Sequence, residues 1–145
     1  MDTKLHKDLK FKDKEELKRK AVDRAVEFVA QKYEATDELM KHLQDTKLWF
    51  TNRRSAWYCP TRRKIKVGLS KRRWITYNRK TIGMTSNGIT LPKLLHITLI
   101  LIHEFTHAVQ HFQGRKYSEV ETVRNEIEYV KLISPSTLQF MSQVA

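Results

Sequence analysis

The stretch from Leu91 to Gln113 constrains this chain more than any other. Leu94, Leu95, Ile97, Leu99, Ile100, Leu101 and Ile102 leave its early turns almost without a polar side. A helix that is apolar all round is a buried helix. Pro92 suits a first helical position and Gly114 a stop, so the pattern predicts one long helix over 91–113. Lys93, His96 and Thr98 interrupt the apolar run, which is too short to cross a bilayer. Such a helix belongs to a core, and whatever its far end carries sits at the floor of a cleft.

That far end reads His103-Glu104-Phe105-Thr106-His107, the pattern H-E-x-x-H. Residues four apart on a helix lie one turn apart on one face, so His103 and His107 can hold one metal ion together. Glu104 then stands where it can take a proton from a water beside the metal. This is the zinc-peptidase arrangement of two ligands and a general base. The bland alternative is a pair of helix histidines satisfied by ordinary hydrogen bonds. His96 lies two turns upstream and reads as a buried helix histidine.

A catalytic zinc commonly has three protein ligands. His111 lies one turn beyond His107, and a straight helix carries it away from the metal, so it reads as a cleft-wall residue. The next helix, expected over 118–133, is the better source. Val120, Val123, Ile127 and Val130 mark its expected inward face. At 100° per residue Glu126 and Glu119 fall at the edge of that face. Glu126 is the expected third ligand. Glu119, whose place at a helix start already suits its charge, is the reserve, with Glu121 behind it. Tyr117, Tyr129 and His111 are candidate donors to a transition-state oxyanion. Cys59 could block the zinc in a latent form, although a lone strand Cys is more often core.

The remaining segments predict an α+β domain. Leu17, Ala21, Ala25, Phe28 and Val29 give helical spacing over 14–33, and Thr36-Asp37 caps a short helix to about Gln44. Ala56–Cys59 and Lys64–Val67 read as strands around a Pro60-Thr61 turn, with Trp74–Tyr77 a third and Ser86-Asn87-Gly88 a turn. Residues 1–13 read as a charged, loose lead-in and 14–145 as one domain. Its parts are a basic strand region at 46–90, a metal helix at 91–113 and a ligand helix at 118–133. The sheet is expected to be short and mainly antiparallel. An extended substrate could pair with an exposed edge at Ile65–Gly68 or Ile75–Tyr77.

Charge is placed unevenly. The chain carries a formal +12, and residues 46–103 hold thirteen Lys and Arg without one Asp or Glu. Arg53, Arg54, Arg62, Arg63, Lys64, Lys71, Arg72 and Arg73 form clusters there, interleaved with Trp49, Trp57, Tyr58, Trp74 and Tyr77. Basic groups among aromatics suit a nucleic acid or another polyanion; the plain alternative is a solvated basic surface. Met1–Lys20 is highly charged, which argues against a signal peptide, and no membrane segment is evident. The single Cys excludes a disulfide framework, so a cytoplasmic protein is expected.

With these residues in place, the chain resembles the zincin metalloproteases, specifically the gluzincins. In that group H-E-x-x-H is followed on the next helix by a Glu often preceded by Asn. Here eighteen residues separate His107 from Glu126, which follows Asn125. The spacing is similar to the thermolysin-like group and the minigluzincins, over about residues 91–133. The resemblance implies a small zincin-like domain with an N-terminal helix, a short sheet, an active-site helix and a ligand helix. It implies zinc, and hydrolysis of a protein or peptide. The thermolysin-like group also has an Asp four residues after the ligand Glu, bonding the first His. Position 130 here is Val, so that partner must come from elsewhere. A looser resemblance, over about 14–113, is to the SprT-like proteases. Trp49, then Ala56-Trp57-Tyr58-Cys59, then Ile65-Lys66-Val67-Gly68-Leu69-Ser70 fall in that family's order. It implies substrates associated with nucleic acid. The family's third His comes from a Gly-His-Gly-type loop, which Gly114-Arg115-Lys116-Tyr117 lacks. The rival class is a non-catalytic nucleic-acid-binding or protein-interaction module with a vestigial or structural metal site.

Overall fold

A computed structural model describes residues 15–51, 53, 55–68 and 93–143. The expected lead-in at 1–13, the strand at 74–77, the turn at 86–88, and Arg54, Lys71, Arg72 and Arg73 lie outside the described residues. The fold is α+β. Helix α1 (Glu15–Lys32) and helix α2 (Asp37–Asp45) come first. Strands β1 (Lys47–Thr51), β2 (Trp57–Cys59) and β3 (Lys64–Gly68) follow. Then come α3 (Lys93–Phe112), α4 (Glu119–Leu132) and α5 (Pro135–Gln143).

Helix α3 is the centre, and every residue from Leu94 to Gln110 is buried. Helix α1 covers one side with Ala21, Val22, Ala25, Val26, Phe28 and Val29, a stripe recurring every three to four residues. Its two alanines let the backbones come close. The sheet covers a second side with Leu48, Phe50, Tyr58, Ile65 and Val67, which alternate along their strands with outward residues. Helix α4 lies on a third side. Thr36 caps α2 by accepting from the Leu39 amide, as the sequence predicts, and Ser118 caps α4 by accepting from the Glu121 amide. No helix among the described residues is long and apolar enough to cross a membrane.

Strand order is β1-β3-β2. The expected hairpin is present: β2 pairs antiparallel with β3 around the Pro60–Arg63 turn. Among the described residues the expectation of a mainly antiparallel sheet needs correction, because the longer pairing, β1 with β3, is parallel. The hairpin is local and legible, whereas β1 reaches β3 only by its chain crossing to the far edge. Strand β3 is therefore central, and Ile65–Gly68 is no edge for a substrate. The crossing explains Gly68. A Cβ there would lie 2.2 Å from the Ser55 carbonyl oxygen and 2.5 Å from that of Arg53. Arg53 and Ser55, between β1 and β2, thus lie directly against the end of β3.

Helix α4 also faces differently from its apolar pattern. Val120 is 67% exposed, and Val123, Ile127 and Val130 are only half-buried. The buried stripe is Thr122, Asn125, Glu126 and Tyr129. Each has a partner that removes the penalty of burying it. The Asn125 amide donates to Thr106 Oγ1 at 3.0 Å and to Tyr33 Oη at 2.8 Å. Tyr33 in turn donates to Glu121. The Tyr129 ring meets Phe28 edge-on at 5.4 Å.

Gly68→Ala is expected to destabilise the fold by about 3 kcal/mol or more, since backbone rather than a flexible side chain must yield. Urea unfolding of the variant beside wild type measures it, and an unchanged midpoint would remove the crossing from the account of this glycine.

Candidate metal centre

The centre is built on the C-terminal half of α3. His103, Glu104 and His107 are all buried, and one ligand atom from each lies within 4.8 Å of the others. The two imidazoles meet edge-on with centroids 5.1 Å apart, as residues one helical turn apart should. Glu104 is 1% exposed, with a carboxylate oxygen 4.0 Å from His103 Nε2.

The two α4 carboxylates stand in each other's expected places. Glu119, the reserve, bridges the two rings: Oε2 lies 3.1 Å from His103 Nε2, and Oε1 lies 2.8 Å from His107 Nε2. Glu126, the expected ligand, sits behind His103, with Oε2 2.9 Å from Nδ1. It thus supplies the partner that Val130 cannot. Both changes follow from the turn of α4 described above. With Thr122, Asn125, Glu126 and Tyr129 facing inward, Glu126 enters beneath α3 and Glu119 meets the rings at the helix start. Glu121, third in line, pairs instead with Arg115, Tyr33 and Gln110.

The second ring is held in the same way. His107 Nδ1 lies 2.9 Å from Gln110 Oε1. The amide of Gln110 is oriented by its own contacts: Nε2 donates to the Ser118 carbonyl and to Glu121, and Oε1 accepts from the Ser118 amide. That fixes Nδ1 of His107 as a donor. The sequence signal for Gln110 is its place three residues after His107 on one helix.

Each imidazole therefore has an oxygen acceptor at both nitrogens. A neutral imidazole carries one N–H and cannot satisfy two acceptors. The arrangement calls for positive charge between the rings and Glu119, as protons or as a metal ion. Burial alone disfavours a charged His103, but the hydrogen bonds to Glu119 and Glu126 and the nearby carboxylates outweigh it and hold the ring at about 10. For Glu119 the His103 hydrogen bond outweighs burial and, with the charges of both histidines, lowers the carboxyl to about 2. The donor chemistry fits zinc. Two imidazoles and a carboxylate match a catalytic zinc set, whereas calcium and magnesium prefer oxygen alone. His103, His107 and Glu119 could hold the ion, with Nδ1 of each ring already engaged behind it.

The expected oxyanion donors separate. Tyr117 stacks on His107 at 4.6 Å and 17°. Burial and then the Glu104 charge raise its phenol. Tyr129 follows Glu126 by three residues on the same buried stripe of α4, and its ring packs against Phe28 of α1. His111 is exposed and joined through Nδ1 to the Tyr58 hydroxyl at 2.9 Å, with the His42 ring beside it. Cys59 Sγ lies 3.3 Å from Thr61 Oγ1, and Cys59 is not part of the His103, Glu104, His107 group. His96 is buried in α3, as expected.

Zinc affinity, read by competition with a chromogenic chelator, tests the exchange of the two carboxylates. Glu126→Gln is expected to weaken binding by about 10- to 100-fold, the range for a partner behind a ligand. Glu119→Ala should weaken it further. The reverse order would restore Glu126 as the ligand. Compared with protein-family models, with curated proteins and with solved structures, the chain matches none of them.

Proposed function

We propose that this chain is a zinc-dependent endopeptidase. The observation that carries the reading is the pair of buried imidazoles turned toward one carboxylate, each with its second nitrogen engaged, and Glu104 buried beside them. When bound, zinc supplies Lewis acidity, polarising a carbonyl and acidifying a water. The rest of the chemistry belongs to the chain. His103, His107 and Glu119 would hold the ion. Glu126 and Gln110 fix the two rings, so the ligand nitrogens need not reorganise during reaction.

Glu104 is the general base. It follows His103 directly and lies almost wholly out of solvent. From there it takes a proton from the attacking water and returns it to the departing amine. Glu104 is no third ligand in this reading, because Glu119 already faces both rings. The Glu104 carboxylate stands 4.0 Å from His103 Nε2, beside the place where the ion and its water would sit. Tyr117 is the candidate donor to the oxyanion. Its ring is fixed by stacking on His107, while 47% of the residue remains exposed to an incoming substrate. The expected substrate is a protein or peptide, including proteins associated with nucleic acid.

Glu104→Gln should lower kcat/KM on a casein-derived peptide by about 100- to 10,000-fold, the span usual for general acid–base groups. Zinc content and the unfolding midpoint should not change. Full activity in this variant would end the peptidase reading and leave a metal-holding module. Tyr117→Phe keeps the stacked ring and removes only the hydroxyl. It is expected to cut kcat by about 100-fold with KM nearly constant. An equal loss confined to KM would make Tyr117 a substrate-binding residue instead.

A further inference from the structure

The outer face of the sheet takes no part in the chemistry above, and its side chains are unusual. The register places Trp49, Lys66 and Trp57 in one row across β1, β3 and β2. Lys47, Lys64 and Cys59 form the next row. All six alternate with the residues that enter the core, so both rows point outward. Trp49 is 53% exposed and Trp57 43%. Indole rings are usually covered, and two on one strand row present flat apolar faces to water.

Lysines hold these rings in place. Lys64 Nζ lies 3.9 Å from the Trp49 ring centroid. Lys66 Nζ lies 5.9 Å from Trp49 and 6.0 Å from Trp57, midway between the two indoles. The indoles stand two strands apart, about 10 Å at ordinary strand spacing. No carboxylate occurs anywhere from residue 46 to residue 103 to balance the lysines.

We propose that this face binds single-stranded nucleic acid, with bases stacked on Trp49 and Trp57 and phosphates held by Lys64 and Lys66. Flat rings separated by ammonium groups match the alternation of base and phosphate along a strand. A duplex keeps its base faces covered by their neighbours and offers the indoles nothing to stack on. An acidic peptide satisfies the lysines but leaves the rings bare. The proposal stands apart from the peptidase reading, since none of these residues touches the metal centre.

Fluorescence anisotropy of a labelled oligothymidine, titrated with the full chain over a range of salt, tests it. Wild type should bind the single strand more tightly than a duplex of equal length. Trp49→Ala and Trp57→Ala should each lose roughly tenfold in affinity with the salt dependence retained. Trp57→Phe should recover part of the loss, and circular dichroism should be unchanged throughout. Lys66→Gln should flatten the slope of log affinity against log salt by about 0.7. The proposal is overturned if both alanine variants bind like wild type, if the duplex binds as well, or if polyglutamate displaces the strand as readily as oligothymidine. The same titration on Glu104→Gln should give wild-type affinity, so a failure here is separate from a failure of the peptidase reading.

Discussion

Two imidazoles with an acceptor at every ring nitrogen set the terms for the rest of this structure. Glu126, His103, Glu119, His107 and Gln110 form one continuous chain of polar contacts between α3 and α4. Four of the five are buried, in a region where an unmatched polar group is expensive. The chain is satisfied only with α4 in its observed rotation. That rotation gives up much of the burial its valines could provide, leaving Val120 in solvent and burying Asn125 and Glu126 instead. The polar contacts at the centre therefore override the apolar pattern of the helix that supplies them.

The surrounding elements support that choice. Tyr33, at the end of α1, accepts from Asn125 and donates to Glu121, so the covering helix also indexes α4. Arg115 holds Glu121 from the loop before α4, with contacts at 2.8 and 3.0 Å to its two oxygens. Ser118 both caps α4 and contacts Gln110. The start of α4, where Glu119 projects, is thus pinned from three directions. Glu119 itself stays largely solvated, as a ligand facing an open cleft would be.

Much of this was legible from local pattern. The extents of α1, α2 and α3 follow from apolar spacing and end signals, and His103, Glu104 and His107 come together because one helical turn brings them together. The hairpin of β2 and β3 was readable from its turn. What failed was long-range. The partners that make Asn125 and Glu126 buriable are Tyr33, Thr106 and His103, all distant in sequence, so apolar spacing within α4 points to the valines instead. The parallel pairing of β1 depends on a crossing that leaves one local trace, Gly68. The row of Trp49, Lys66 and Trp57 joins three strands, and no spacing along the chain reveals it.

Glu119 and Glu126 sit on one helix, one on each side of His103. Any cation drawn between the rings therefore grips α4 as well as α3, and it binds a folded centre that the unfolded chain does not possess. Occupancy and helix docking become a single linked equilibrium, in which each tenfold rise in free ion above its dissociation constant adds about 1.4 kcal/mol to the folded state. Thermal stability then becomes a gauge of the ion supply around the protein. Loss of that ion would take this increment from the docking of α4 on α3, and so from one wall of the cleft.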